Sequence, residues 1–341
     1  MTSDHSQTRT FRPKLLCLIS PLVILVQIQA AGKSVGEINR LLTQGLQERE
    51  RDRHDQAIQA FSAALELKPD GRTAAELHGQ RGGAYLDKGA VTEAMADAET
   101  AIRLAPGYFR GYQVRGRVYL DRKQFDRALH DVNTALKLAP HFGQLYNNRG
   151  NIFRAKGQRR RAIQDFSEAI RRNPETIDGY VNRGGSYAII GECDKAIIDL
   201  NRALQINSRD SFAYYNRGLG YECKRNYHLA LADFSKANEL APHDPDTLNW
   251  IAWLKATSPH DVLRNGKEAL TASLEACQLA NFKDADYLDS LAAAYAENGD
   301  FDQAIRYITK ALGMKVDSND RKDFQKRLAL YRDRKPYRQT E

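Results

Sequence analysis

Five glycines, Gly82, Gly116, Gly150, Gly184 and Gly218, follow one another at intervals of 34 residues. Three residues after each stands an aromatic: Tyr85, Tyr119, Phe153, Tyr187 and Tyr221. Twelve residues after each glycine comes Ala94, Ala128, Ala162, Ala196 or Ala230, and a second alanine column follows at Ala101, Ala135, Ala169, Ala203 and Ala237. Pro106, Pro140, Pro174 and Pro242 close four of these stretches, with Ser208 in the fifth proline's place. Columns that hold register over five stretches outrank any local propensity, because a period of this length means stacked copies of one small unit.

Each column has a physical role. Glycine and alanine allow two helices to approach closely, the aromatic is expected to fill the space between them, and proline stops the second helix. Gly89, Gly157 and Gly191 fall between the two helical stretches, where a left-handed residue ends the first helix. The unit is thus a helix, a tight turn, a second helix and a stop. One such unit cannot bury its apolar faces alone, so the units must stack.

The unit length and the small, aromatic and proline columns resemble the tetratricopeptide repeat family. The resemblance implies an all-α fold, a right-handed α-solenoid of stacked helix-turn-helix units closed by a C-terminal capping helix. About eight units are expected over residues 36–316, at 38–71, 75–108, 109–142, 143–176, 177–210, 211–244, an irregular 245–284 and 285–317. The first has Glu48 where the aromatic belongs and three extra residues before the next unit. The seventh carries Trp250, Trp253, Ala269 and Ala276 and is stretched between Ser258 and Gly266. The eighth carries Ala292, Tyr295, Ala304 and Ala311. Phe324, Leu328 and Tyr331, after the capping residues Ser318-Asn319-Asp320, predict the final helix within 318–341, followed by a basic tail. The stretch from Asn249 to Arg338 also resembles the C-terminal block of repeat proteins of planctomycete-type bacteria.

Residues 1–30 read as a signal peptide. Arg9, Arg12 and Lys14 precede an apolar run from Leu15 to Ile28, and the small residues Ala30 and Ala31 follow. The expectation is export to the periplasm or exterior of a bacterial envelope, with anchorage through residues 15–31 as the alternative, the run being short for a membrane span. A net charge of +8 with both signs interspersed permits an anionic partner without demanding one. Four cysteines without paired spacing predict neither a disulfide scaffold nor a zinc module. No phosphate loop, nucleophile elbow or metal-ligand pattern occurs, so no enzyme activity, metal or cofactor is expected. The loop 258–265 is the one place left for an unusual activity.

Two polar ladders remain. Arg81, Arg115, Arg149, Arg183 and Arg217 each precede the glycine column, and Asp97, Asp131, Asp165, Asp199 and Asp233 follow 16 residues later. A charge at a half-buried column must be paired, so the expectation is one guanidinium on one carboxylate per unit rather than an anion-binding track. Asn148, Asn182 and Asn216 are expected to link neighbouring units. The runs Arg159-Arg160-Arg161 and Arg171-Arg172 could meet phosphates, but charge runs of this kind read first as a solvated helix face.

The resemblance further implies that first helices line a concave groove for an extended peptide or partner helix. Counting from the glycine column, the groove candidates are Arg110, Gln113, Arg117, Asn147, Asn151 and Arg154, then Val181, Ile189, Phe212, Tyr215, Leu219 and Trp253. One half of this set is polar and basic, the other apolar and aromatic. The family's carboxylate clamp is not carried over, because Gln113 and Gly79 stand where a clamp lysine belongs. The reading is a protein-binding scaffold. Its rival is a binder of anionic polymer, nucleic acid or membrane surface, with membrane contact only through an uncleaved N-terminal segment.

Overall fold

The computed structural model describes residues 32–340, and the expected signal segment lies outside them. Seventeen α-helices and no strand make up the described residues. They run α1 Gly32–Glu50, α2 His54–Glu66, α3 Gly71–Lys88, α4 Val91–Leu104, α5 Phe109–Asp121, α6 Phe125–Leu138, α7 Gly143–Ala155, α8 Arg159–Arg172, α9 Ile177–Ile189, α10 Cys193–Ile206, α11 Ser211–Cys223, α12 Tyr227–Leu240, α13 Pro245–Thr257, α14 Gly266–Leu279, α15 Ala285–Glu297, α16 Phe301–Leu312 and α17 Ser318–Arg332. The expected all-α solenoid of helix-turn-helix units is what the chain forms. The described chain divides into two compact bodies that meet between Asn182 and Arg183, within α9.

In the N-terminal body α1 packs on α2, α3 on α4, α5 on α6 and α7 on α8, while first helices adjoin one another as α3 beside α5 and α5 beside α7. Both alanine columns are buried, Ala94, Ala128 and Ala162 having no exposure at all. The glycine column faces a large side chain that the sequence reading overlooked. A Cβ on Gly150 would lie 2.5 Å from the Phe166 ring, and one on Gly116 would lie 2.9 Å from Val132. Gly45 stands against Phe61 in the same way. At these positions the interior is therefore filled from the second helix, by residues 16 positions after the glycine, whereas Gly82 is met by Val114 of the next first helix at 3.2 Å. The aromatic column does less burying than expected. Phe153 is buried, but Tyr85 and Tyr119 are only half-buried.

The C-terminal body repeats the arrangement, with Gly184 against Leu200 and Gly218 against Phe234. Its core runs from Tyr227 through α13–α16 to Phe324 and Tyr331 of α17. Thus α17 buries its apolar face as expected, although its cap is Asp317, whose carboxylate accepts from the Asn319 and Asp320 amides, and not the Ser318 trio. The stretched seventh repeat resolves into α13, a single 3-10 turn at Asp261–Leu263, and α14. Arg264 ties that loop down, donating to the Ser258 carbonyl at 2.8 Å and pairing with Glu297 at 3.2 Å.

Three local readings are corrected. The turn between paired helices requires a left-handed residue at every 34-residue step, and where glycine is absent Lys123 (φ 57°) and Arg225 (φ 58°) adopt it. The second repeat begins at Gly71 rather than 75, because Asp70 caps α3 by accepting from Arg72 and Thr73. Cys193 and Cys223, 30 residues apart, are joined in a disulfide across α10 and α11. Their Cα atoms lie 5.9 Å apart, within the range a disulfide spans. No spacing rule finds this pair, because repeat stacking, not sequence proximity, brings the two residues together.

Candidate interaction faces

The arginine and aspartate ladders pair rung by rung. Arg81 meets Asp97, Arg115 meets Asp131, Arg149 meets Asp165, Arg183 meets Asp199 and Arg217 meets Asp233, each through Nε and Nη2 at 2.7–2.9 Å. Such two-point contacts between a guanidinium and a carboxylate fix both orientation and charge. Each guanidinium also lies near the aromatic four residues on, at 5.8–6.0 Å from the ring centre in Tyr221, Phe153 and Tyr187. The aromatic column thus flanks the ladder as well as packing. With all five guanidiniums engaged, the ladder is structural and the anion-track idea falls.

The asparagine column behaves less uniformly than expected. Asn182 donates to the Asn147 side chain at 3.1 Å and does link two first helices. Asn216 instead turns back on its own helix, donating to the Phe212 carbonyl at 2.8 Å. Asn148 is buried with neither side-chain atom hydrogen-bonded.

The polar groove candidates of the N-terminal body come together on α5 and α7. Arg117 shares the Asp87 carboxylate with Arg49, at 3.1 and 2.7 Å. Burial alone would raise the Asp87 carboxyl, but the two guanidiniums outweigh it and hold the group below the ordinary aspartate value. Arg110 lies against the adjoining Phe109 and Phe142 rings, 5.2 Å from each, and donates to Gln113. Turned so that its oxygen faces the guanidinium, the Gln80 amide accepts from Arg110 Nε at 3.0 Å. Asn151 donates to the Asn147 carbonyl at 3.0 Å. That leaves Asn147 Nδ2 and Asn151 Oδ1 buried without a partner. Arg154 follows on the same helix, half-buried, and Val181 is buried. Arg110 and Arg117 are thus held by neighbours rather than projecting freely.

The apolar candidates of the C-terminal body serve chiefly in packing. Tyr215 is half-buried with its ring 5.7 Å from Phe234, and burial raises its hydroxyl pKa above the ordinary phenol value. Leu219 packs against the same core and Phe212 is half-buried. Ile189 is exposed. Trp253 is buried, its ring 5.7 Å from Tyr337 and 5.2 Å from the Arg327 guanidinium. An exposed surface the sequence reading missed lies beside the disulfide. There a cleft of about 490 Å³ is lined by Asp194, Ile197, Ile198, Tyr221, Lys224 and Asn226.

The basic runs are largely engaged within the fold. Arg171 and Arg172 both pair with Glu168 at 2.6 Å, and Arg161 lies 4.0 Å from the Phe153 ring centre. Among the described residues no group of three His, Cys, Asp or Glu side chains is placed to hold a metal ion, and no helix is long and apolar enough to cross a membrane.

Family profiles described as tetratricopeptide repeat match residues 42–109, 114–158, 147–212 and 288–322. Comparison with curated proteins gives no match. Among solved structures, the chain is similar to one from the APC/C hetero-tetramer Cut9-Hcn1, at 17% identity and a TM-score of 0.71, covering 84% of this chain and 55% of that one. It is also similar to pilF of Pseudomonas aeruginosa, at 17% identity and a TM-score of 0.54 over 64% of this chain and 96% of that one. Yeast Tom70 matches at 17% identity with a TM-score of 0.50, over 90% of this chain and 66% of that one. At such identities the likeness is one of fold.

Proposed function

Because the chain belongs to the tetratricopeptide repeat family, whose fold suggests a protein–protein interaction scaffold, we propose that it is a non-enzymatic scaffold that takes an extended segment of a partner protein across its first helices. The observation that carries this reading is the pair of unspent amide atoms on α7. Asn147 Nδ2 and Asn151 Oδ1 supply one donor and one acceptor, four residues apart on one helix face. A buried polar atom left without a partner costs about 1–3 kcal/mol, so two of them on successive turns of one helix call for an explanation. A peptide group offers the complementary acceptor and donor. Asn151 retains 4% exposure while Asn147 has none, so contact with a chain lying over the helix would run through Asn151, completed by a bridging water.

The test is to pan a display library of unstructured peptides on the intact chain and measure the enriched sequences by calorimetry. The Asn147→Ala and Asn151→Ala variants should each weaken binding by about 1 kcal/mol, the usual net worth of one hydrogen bond, while keeping the helical circular dichroism signal. Selected peptides that bind the double variant as tightly as the parent would refute the site.

The compartment is part of the same proposal. A disulfide at Cys193–Cys223 suits an oxidising environment, which supports export by the apolar segment 15–28. Alkylation of the native protein under denaturing conditions should find those two thiols blocked. Finding both freely alkylated in protein taken from its own cells would place the chain in a reducing compartment.

A further inference from the structure

The six residues after the turn that ends α17 take no regular secondary structure, yet they are held along their length. Arg334, in the left-handed conformation at φ 56°, reverses the chain. The Tyr337 ring then sits 5.7 Å from Trp253 and 5.2 Å from the Arg327 guanidinium. Arg338 pairs with Glu297 at 2.6 Å and donates to the Ala256 carbonyl at 3.3 Å. The Gln339 amide donates to the Thr257 carbonyl at 2.8 Å, and the Gln339 side chain lies 3.1 Å from the Thr257 hydroxyl, whose proton goes to the Trp253 carbonyl at 2.7 Å. Finally, the Tyr227 hydroxyl donates to the Thr340 carbonyl at 3.2 Å.

These contacts have the chemistry of peptide recognition. An aromatic ring is stacked, the next residue's positive charge is matched, and the main chain is read by donors and acceptors on the receiving surface. Most of that surface belongs to first helices, since Trp253 and Thr257 lie on α13 and Glu297 on α15, and α13 adjoins α15 directly, while Tyr227 of α12 and Arg327 of α17 complete it. We propose that Trp253, Thr257 and Glu297 form a recognition site for an extended protein segment carrying an aromatic residue followed by a basic one. The chain's own segment 335–340 occupies it in cis as a displaceable strap. The proposal is independent of the α7 strip, which lies in the other body.

The strap differs in kind from the helix before it. In α17, Phe324, Arg327 and Tyr331 are each no more than 1% exposed, and Arg327 is neutralised by Asp289 at 2.7 Å. That helix is core. Lys335 and Thr340 are exposed, Tyr337 is half-buried, and the Arg338 side chain keeps 34% exposure. An ion pair open to water to that extent contributes little, and Tyr337 is the side chain through which the segment packs on the apolar core. Local opening of such a piece costs far less than unfolding the body that carries it. Tethering nevertheless gives the strap a high effective concentration, so a free peptide must compete against it. A partner with the same aromatic–basic pattern would gain the site either by binding more tightly or by drawing the strap away.

Two measurements test this on the full chain. First, a fluorescein-labelled peptide of residues 333–340, capped at both ends, is titrated by anisotropy against the wild type and the Tyr337→Ala/Arg338→Glu variant. The variant should bind the peptide saturably and at least about tenfold more tightly than the wild type, since its own strap no longer competes. Adding Glu297→Gln to the opened variant should weaken that binding several-fold, because the charge match is lost. Equal binding to wild type and opened variant, or no binding to either, would overturn the proposal. Second, hydrogen exchange on the unaltered protein needs no variant to fold. The Gln339 amide should exchange well ahead of the amides in the middle of α17. Protection equal to that of α17 would show that the segment is fixed core, not a strap.

Discussion

Arg149→Ala tests what the ladder contributes to stability. Arg149 gives two hydrogen bonds of 2.8 and 2.7 Å to Asp165 and a third of 3.0 Å to Asn133, and its guanidinium lies 5.6 Å from the Tyr146 ring centre. The Asp165 side chain is 8% exposed, so removing its partner strands a charge that water reaches poorly. Breaking a fully buried pair costs about 3–5 kcal/mol. Here the arginine side of the pair is 26% exposed, and water entering the vacated space can recover part of that. The expected loss is therefore about 2–3 kcal/mol, between the buried figure and the 0–1 kcal/mol of a surface pair. Urea unfolding followed by far-ultraviolet circular dichroism would read the total. Hydrogen exchange in α7 and α8 would localise it, which matters because stacked repeats need not unfold as one unit. Adding Asp165→Asn should restore a good part of the loss, since an amide is far cheaper to strand than a carboxylate. A loss below about 0.5 kcal/mol, the scale of ordinary surface substitutions, or one that Asp165→Asn leaves unchanged, would refute the account.

Serine at both Cys193 and Cys223 should lower stability by roughly 3.5 kcal/mol if the 30-residue closure acts on the unfolded chain, and unfolding with and without reductant gives the same comparison. At the left-handed turn positions, Gly157→Ala should cost about 1–2 kcal/mol, whereas Lys123→Gly should be neutral or stabilising by up to about 1 kcal/mol, as thermal melts would show. Asp87 has its pKa depressed in the folded chain, so its contribution is complete above the unfolded value and is lost as pH falls through the lower folded one. Asp87→Asn should thus lower stability near neutrality and flatten its fall below about pH 4. Cys277 is fully buried, which pushes its thiol up to about 12, so iodoacetamide at pH 8 should modify it only at the rate of local unfolding.

Much of the fold was written in the 34-residue period. Small residues in register require close-packed helices, and prolines mark where each pair stops, so the repeat architecture and the final helix could be read without coordinates. The ladder was legible for the same reason. A strict offset of 16 residues between opposite charges has one cheap solution when both columns are half-buried. The groove was legible only in part. Counting from Gly116 and Gly150 assigns Arg110, Gln113, Arg117, Asn147 and Asn151 to one face, and Arg110 with Gln113 and Asn147 with Asn151 do hydrogen-bond to each other. Periodicity gives a residue's face but not what stands over it, and so it could not tell that Asp87 engages Arg117 or that Arg110 rests against the paired Phe109 and Phe142 rings.

What only tertiary structure decided are contacts outside the period. Cys193 meets Cys223 because stacking brings the start of α10 to the end of α11, and neither cysteine belongs to a repeating column. Trp253 reads from sequence as a groove aromatic, yet its face is taken by Tyr337, 84 residues further along. A repeat fixes how each unit meets the next, since the same side chains recur at the same offsets. It is silent on where a non-repeating segment lies, because that depends on single contacts between distant residues, and their free energies are settled only once the helices are in place.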